Sequence, residues 1–393
     1  MSASTTILPD RSARALTIAA NAAFVPIGFA TILLGPMLPI LSARWSLNDA
    51  QAGALFTAQF LASTIAVSLS GLLVARWGFR FAMNAGLLAM AAGVGALPFS
   101  SHLAGIACIA CYGFGFGLAV PAANLVVAEV NPARRSAALN LLNFSWSFGA
   151  VTCPFLISAA AAAHKITPLL VSVAVLMLLV AAGIWITSSQ AVEPASDAQS
   201  GSNGFAIDWK SPTLYVIAAL FFFYVGAENA YGGWTAAFAK SLGTLSPARA
   251  VMTPSFFYIA LMLGRWVAPI VLRRIEDITL ARIGIVMACM GMIGLLTSHS
   301  AVSLDISVSV TGLGLSSVYP ITIALLSREF GSAATRVGSI MFTLSNLGGS
   351  CLPFLVGFFS DRFHNLRIGM TVPLSATILL FILYRAKWEP AQA

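Results

Sequence analysis

Twelve apolar stretches, each long enough to cross a bilayer, follow one another along the chain with only short polar breaks between them. They cover residues 15–41, 49–75, 80–99, 103–129, 137–161, 166–188, 212–239, 249–272, 279–297, 301–327, 337–360 and 369–386. About 30 Å of hydrocarbon needs about 20 residues of helix, so the pattern predicts an all-α membrane protein with twelve transmembrane helices. The longest polar break lies between the sixth and seventh stretches. Residues 189–210 hold Pro194 and the run Ser196-Asp-Ala-Gln-Ser-Gly-Ser-Asn203, the composition of a flexible linker. The expected division is therefore a six-helix bundle over 1–188, a cytoplasmic linker over 189–210 and a second six-helix bundle over 211–393.

The two halves share a pattern. Residues 113–154 and 312–353 align without a gap, placing Gly113, Gly115, Pro121, Gly149 and Pro154 on Gly312, Gly314, Pro320, Gly348 and Pro353. Residues that break or closely pack helices thus recur in register, which predicts two pseudo-symmetric bundles. Duplicated apolar halves point to a transporter in which one repeat rocks against the other.

Composition agrees with lipid as the main solvent: 59% of the 393 residues are apolar and 9% charged, against about a quarter charged in soluble domains. The first stretch is too long for the core of a cleaved signal and is expected to remain as the first span. Basic residues divide unevenly between the two membrane faces. Arg11, Arg14, Arg76, Arg80, Arg134, Arg135, Lys210, Arg273, Arg274, Arg282, Arg328, Arg336, Arg385 and Lys387 fall on one side. Arg44, Lys165, Lys240, Arg249, Arg362 and Arg367 fall on the other. The positive-inside rule then puts both termini in the cytoplasm, as expected of a multi-pass inner-membrane protein. It also accounts for the net charge of +8 as topology, with no clustered basic run to suggest nucleic acid.

Cys108, Cys111, Cys153, Cys289 and Cys351 all lie in apolar stretches, where a thiol is ordinarily a small core residue. Cys108 and Cys111 form a C-x-x-C, but neither a second pair nor a nearby histidine completes a metal site, and no metal is expected. His102, His164, His299 and His364 fall in loops on the outer face, which argues against a histidine relay through the membrane. With no nucleophile and base at depth, and no paired acids there, the pattern does not suggest an enzyme or a cofactor.

Ionisable groups inside the membrane are functional candidates, because burying one unpaired costs at least about 2.5 kcal/mol on insertion scales. Two lie well inside spans. Glu228 sits mid-span with Asn229, Tyr231 and Trp234 within two turns of it, and a carboxyl there could exchange a coupling cation. The alternative is a structural acid that caps a broken helix or pairs with an arginine. Arg265 follows Gly264 in the eighth span and could snorkel, gate, or meet an acid on another helix.

Neutral polar groups form a second set. Asn140, Asn143, Trp146 and Ser147 share one helical face, and Ser147 corresponds to Asn346 in the duplication. Gln59, Asn124 and Tyr319 join them as candidate substrate contacts. Amides that both donate and accept, together with aromatic rings, suit a sugar's hydroxyls and C–H face. Any one of them could equally be an interhelical hydrogen bond, worth about 0.6 kcal/mol on average. Gly113, Gly115 and Gly117 sit in an apolar helix with no preceding strand, so they read as helix packing and not as a phosphate loop.

Between the second and third spans the chain reads Gly71-Leu-Leu-Val-Ala75-Arg76-Trp-Gly78-Phe-Arg80. This resembles the signature Gly-x-x-x-Asp-(Arg/Lys)-x-Gly-x-(Arg/Lys) of the major facilitator superfamily, with Ala75 in place of the acid. The resemblance implies a gating role for Arg76 and Arg80, with Arg265 a third gating candidate. Tyr224-Val-Gly-Ala-Glu228, Gly232-Gly-Trp234 and Gly264-Arg265 resemble the fucose, galactose and glucose symporter group and its sodium-dependent glucose relatives. That likeness implies a sugar carried with H+ or Na+ and places Glu228 near the central cavity. In the first and fourth spans the nearest polar residues are Asn21 and Asn124, where proton-coupled fucose carriers have acids.

The expectation is a secondary transporter for a sugar or similar small polar solute, functional as a monomer in membrane lipid, with cation-coupled symport through Glu228. A proton-coupled drug or metabolite efflux antiporter is the alternative.

Overall fold

In the computed structural model the described residues are 10–131, 134–187, 211–331 and 334–385; they are helical almost throughout and contain no strand. The expected linker at 189–210 lies outside them. Lipid offers the backbone no hydrogen-bond partner, so each crossing must satisfy its own N–H and C=O groups as helix. The elements are α1 (Asp10–Ile32), α2 (Leu34–Trp45), α3 (Asp49–Ala96), α4 (His102–Val130), α5 (Arg135–Ala162), α6 (Ile166–Thr187), α7 (Pro212–Ser241) and α8 (Pro247–Met252). They continue with α9 (Pro254–Val271), α10 (Asp277–Thr297), α11 (Ala301–Leu315), α12 (Val318–Phe330), α13 (Ala334–Phe363), α14 (Leu366–Gly369) and α15 (Thr371–Tyr384).

Among the described residues, 11 helical segments are long and apolar enough to cross a membrane. One of them, Asp49–Phe99, has 51 residues, about twice what a crossing needs. It turns at Gly78, whose φ of 79° and ψ of 168° fall in a region essentially reserved for glycine. With Gly78 as the turn between two spans, the described residues hold twelve segments long and apolar enough to cross, the number that the apolar pattern predicts.

Four spans are broken, one of them between α8 and α9 at Thr253 just before Pro254, and the other three share a reason. A proline cannot donate to the carbonyl four residues earlier, and its ring crowds that carbonyl. α1 ends at Ile32, four before Pro36; α11 gives way to α12 at Ser316 and Ser317, the former four before Pro320; α14 ends at Gly369, four before Pro373. Pro121 corresponds to Pro320 in the duplication, yet α4 runs through it unbroken.

The duplication is visible in the packing. A side chain at Gly149 would strike the Val25 carbonyl, and one at its counterpart Gly348 would strike the Phe222 carbonyl. Gly115 lies against Gly86, and its counterpart Gly314 against Gly284. Gly117 meets Ser63, while its counterpart Ser316 meets Gly264. All but the Gly264–Ser316 pair, where the serine side chain fills the gap, bring backbone to backbone, and such close approach is where packing energy comes from when lipid and side chains are equally apolar.

The chain forms two compact units. The described parts of Met1–Thr31, Ala62–Ala150 and Thr167–Ser202 make one, and those of Ile32–Leu61, Val151–Ile166 and Asn203–Ala393 make the other. Within the second, α2 packs on α7 with Gly35 against Gly232 and Gly233, and the start of α3 packs on α13 with Gly53 against Pro353 and Phe354. Asp49 accepts a hydrogen bond from Ser360, and Lys240 donates to the Pro39 carbonyl at 3.2 Å.

Gly149→Ala and Gly348→Ala are each expected to lower thermal stability, by about 1–3 kcal/mol for overpacking against fixed backbone. Gly71→Ala, with nothing within 4 Å of the new methyl, should leave stability unchanged or raise it by up to about 1 kcal/mol through helix propensity. Thermal unfolding of the three purified variants beside the parent checks both signs.

Candidate functional site

Helix periodicity sets the site. On α7, Tyr224 and Glu228 are four residues apart and share a face; on α9, Tyr258 and Arg265 are seven apart and share another. α12 starts just beyond the proline break, which puts Tyr319 in its first turn. These faces converge in the second unit. Arg265 Nη2 lies 3.8 Å from Glu228 Oε1, with side chains 26% and 14% exposed respectively. The pair is therefore a charge contact too long for a hydrogen bond, inside the protein but still open on one side. Arg265 Nε is buried and has no acceptor among the described residues.

Tyrosines frame the pair. Tyr319 stacks on Tyr224 at 5.3 Å between ring centroids and meets Phe221 edge-on at 5.7 Å. Tyr224 Oη donates to the Leu315 carbonyl at 3.1 Å, at the break between α11 and α12. Tyr258 is buried under α7, its hydroxyl against Gly232. The arrangement is neutral overall, aromatic-walled and rich in hydroxyls, which suits recognition of an uncharged polar solute and exchange of a cation at the carboxylate.

The other predicted contacts of the second unit are placed differently. Tyr231 and Trp234 are both 1% exposed. Tyr231 Oη lies 3.0 Å from Thr311 Oγ1, and Trp234 Nε1 donates to the Pro353 carbonyl at 2.9 Å. Asn229 Nδ2 donates to the Val225 carbonyl of its own helix at 2.8 Å. Asn346 is half-buried on α13, and Gln59 is buried on α3.

In the first unit, Asn143 is exposed and donates to its own Leu139 carbonyl at 2.9 Å, and Asn124 does the same to Val120 at 2.9 Å. Trp146 Nε1 reaches Thr31 Oγ1 at 3.4 Å. Asn21 accepts from Ser145 Oγ at 2.9 Å, joining α1 to α5. Neither Arg76 nor Arg80 is in an ion pair among the described residues: Arg76 lies over the Trp77 ring and Arg80 over the Trp185 ring.

Sequence reasoning passed over several groups. Tyr258 was accessible from its spacing to Arg265, and Tyr224, named only within the family motif, from its spacing to Glu228. Asp305 is a further ionisable residue within a span, and it forms an ion pair with Arg249. Asn84 and Ser63 are buried without a side-chain hydrogen-bond partner among the described residues, and no pattern in the sequence marks them.

The sequence profile of the Major Facilitator Superfamily matches residues 20–353. The chain belongs to the major facilitator superfamily. It is a multi-pass membrane transporter and not an enzyme. An uncharacterized MFS-type transporter of Yersinia pestis is 23% identical over 347 residues, covering 88% of each chain. The sodium-dependent glucose transporter 1A of Mus musculus is 21% identical over 411 positions, covering 94% of this chain and 95% of its own. Among solved structures, the D-xylose-proton symporter superposes with a TM-score of 0.76 at 17% identity, over 96% of this chain and 98% of that one. FucP in the outward conformation gives 0.66 at 20%, over 95% and 99%, and the nucleoside transporter NupG 0.77 at 14%, over 95% and 98%. At these identities the structural likeness establishes the fold.

Trp234→Phe is expected to destabilise the transporter by about 1–3 kcal/mol, since the Pro353 carbonyl loses its indole donor in a buried setting. Asn143→Ala, at an exposed amide, should stay within about 0.5 kcal/mol. Thermal unfolding in detergent distinguishes the two.

Proposed function

We propose that this transporter carries a sugar or similar small polar solute by alternating access, in symport with H+ or Na+ that loads at Glu228. The observation that carries the reading is the Glu228 carboxylate 3.8 Å from Arg265 among Tyr224, Tyr258 and Tyr319. A neutral solute asks for hydroxyls and aromatic faces, and a coupling cation asks for one carboxylate. Loading Glu228 with a cation removes the counter-charge of Arg265 at a depth where an unpaired arginine costs at least about 2.5 kcal/mol. Occupancy of the carboxylate is thereby tied to the arrangement of α7 and α9. Support comes also from relatives whose names specify glucose with sodium and structural neighbours that carry fucose or xylose with protons. Asn124, Asn143, Trp146, Asn229, Asn346 and Gln59 are proposed as further solute contacts, with Tyr231 and Trp234 holding α7 in place. The asymmetry of basic residues supports an inner-membrane orientation with both termini cytoplasmic.

Uptake into proteoliposomes is the test, with fucose, galactose, glucose and xylose offered under an inward proton or sodium gradient. The parent should accumulate at least one of them under one gradient. Glu228→Gln should abolish accumulation and retain solute exchange or binding. Gradient-driven uptake by Glu228→Gln at the parent rate refutes the coupling role. Transport confined to lipophilic cations, driven outward by protons, would instead establish an efflux antiporter.

A further inference from the structure

Outside the solute site, the first unit carries a cluster of arginine and aromatic side chains at one membrane surface. α3 turns at Gly78 between two crossings, and α6 ends at Thr187 after 22 residues. Both are ends of even-numbered spans and lie on the same side of the membrane. Arg76, Trp77, Arg80 and Phe81 surround the turn, and Trp185 stands in the last turn of α6. The Arg76 guanidinium lies 5.0 Å from the Trp77 ring centroid, and that ring lies 5.0 Å from Phe81. The Arg80 guanidinium lies 5.5 Å from the Trp185 ring, and its Nη2 donates to the Trp185 carbonyl. Trp185 is 60% and Trp77 51% exposed.

Two features call for an anion here. Neither guanidinium meets a carboxylate among the described residues, and Arg80 Nε is buried without an acceptor, although buried polar groups are nearly always paired. The guanidinium fork matches the oxygens of a phosphate. Tryptophans at the membrane–water boundary place their rings at headgroup level, beside the acyl chains.

We propose that Arg76 and Arg80, flanked by Trp77 and Trp185, form a site for the headgroup of an anionic phospholipid. The phosphate accepts from both guanidinium groups, and the first acyl segments lie on the two indole faces. A bound lipid would join the turn between the second and third spans to the end of the sixth.

The test is native mass spectrometry of the full-length protein, delipidated in detergent and titrated with phosphatidylglycerol or phosphatidylcholine of identical acyl chains. Each arginine beside an anionic headgroup is worth about a fivefold preference, so the parent should retain one phosphatidylglycerol at least about tenfold more tightly. Arg76→Gln alone, at an exposed position that does not threaten folding, should lower that preference about fivefold, and Arg76→Gln with Arg80→Gln should abolish it. Arg273→Gln with Arg274→Gln, a basic pair elsewhere, should keep it. Equal retention of the two lipids by the parent, or full preference in Arg76→Gln, overturns the site. Glu193→Gln with Asp197→Asn should leave the preference unchanged. If phosphatidylglycerol binds only in that variant, a linker carboxylate is the natural occupant and the lipid assignment fails.

Discussion

Close approach of backbone to backbone is the constraint on which the rest of this structure depends. In lipid there is no hydrophobic force to press one helix on another, so helices adhere only where their surfaces come within van der Waals contact. Glycine at 149, 348, 115 and 314 makes that contact possible, each against a backbone carbonyl on a neighbouring helix. Position along the chain matters less here than register on the helix face. The duplicated glycines therefore reproduce the same crossings in both halves while the side chains around them diverge.

That divergence is what confines the Glu228–Arg265 pair to one half. In the second half α7 and α9 are held close enough to oppose an acid and an arginine. The first half instead carries the amides of Asn21, Asn124 and Asn143 and the indole of Trp146, on α1, α4 and α5. Similar crossings can thus present ionic chemistry in one half and neutral hydrogen-bonding chemistry in the other.

Most of the fold is legible in the sequence because its determinants are local. Span lengths follow from hydrocarbon thickness, and the breaks follow from prolines whose effect reaches only four residues back. Even so, Pro121 and Pro320 occupy equivalent positions and only the second opens its helix, so neighbours decide whether a proline bends or breaks a span. The site was legible in part. Glu228 and Arg265 stand out as charges at depth, but their meeting across two helices depends on rotation about both axes, which periodicity leaves open. Trp234 shows the reverse: its place in a motif beside Glu228 suggests exposure to solute, whereas the fold turns it inward onto Pro353.

The proline breaks leave something behind besides a bend. Where Pro36, Pro320 and Pro373 lack an N–H, the carbonyls of Ile32, Ser316 and Gly369 lose the donor that an uninterrupted helix would give them. Each is a fixed, uncharged dipole set in a medium of low dielectric constant, where electrostatic influence extends farther than in water. Because the proline ring closes on that nitrogen, the helix itself cannot supply the donor, and the oxygen is left able to accept from a side chain, a water or a solute. Each proline break therefore sets an acceptor of fixed position within a span.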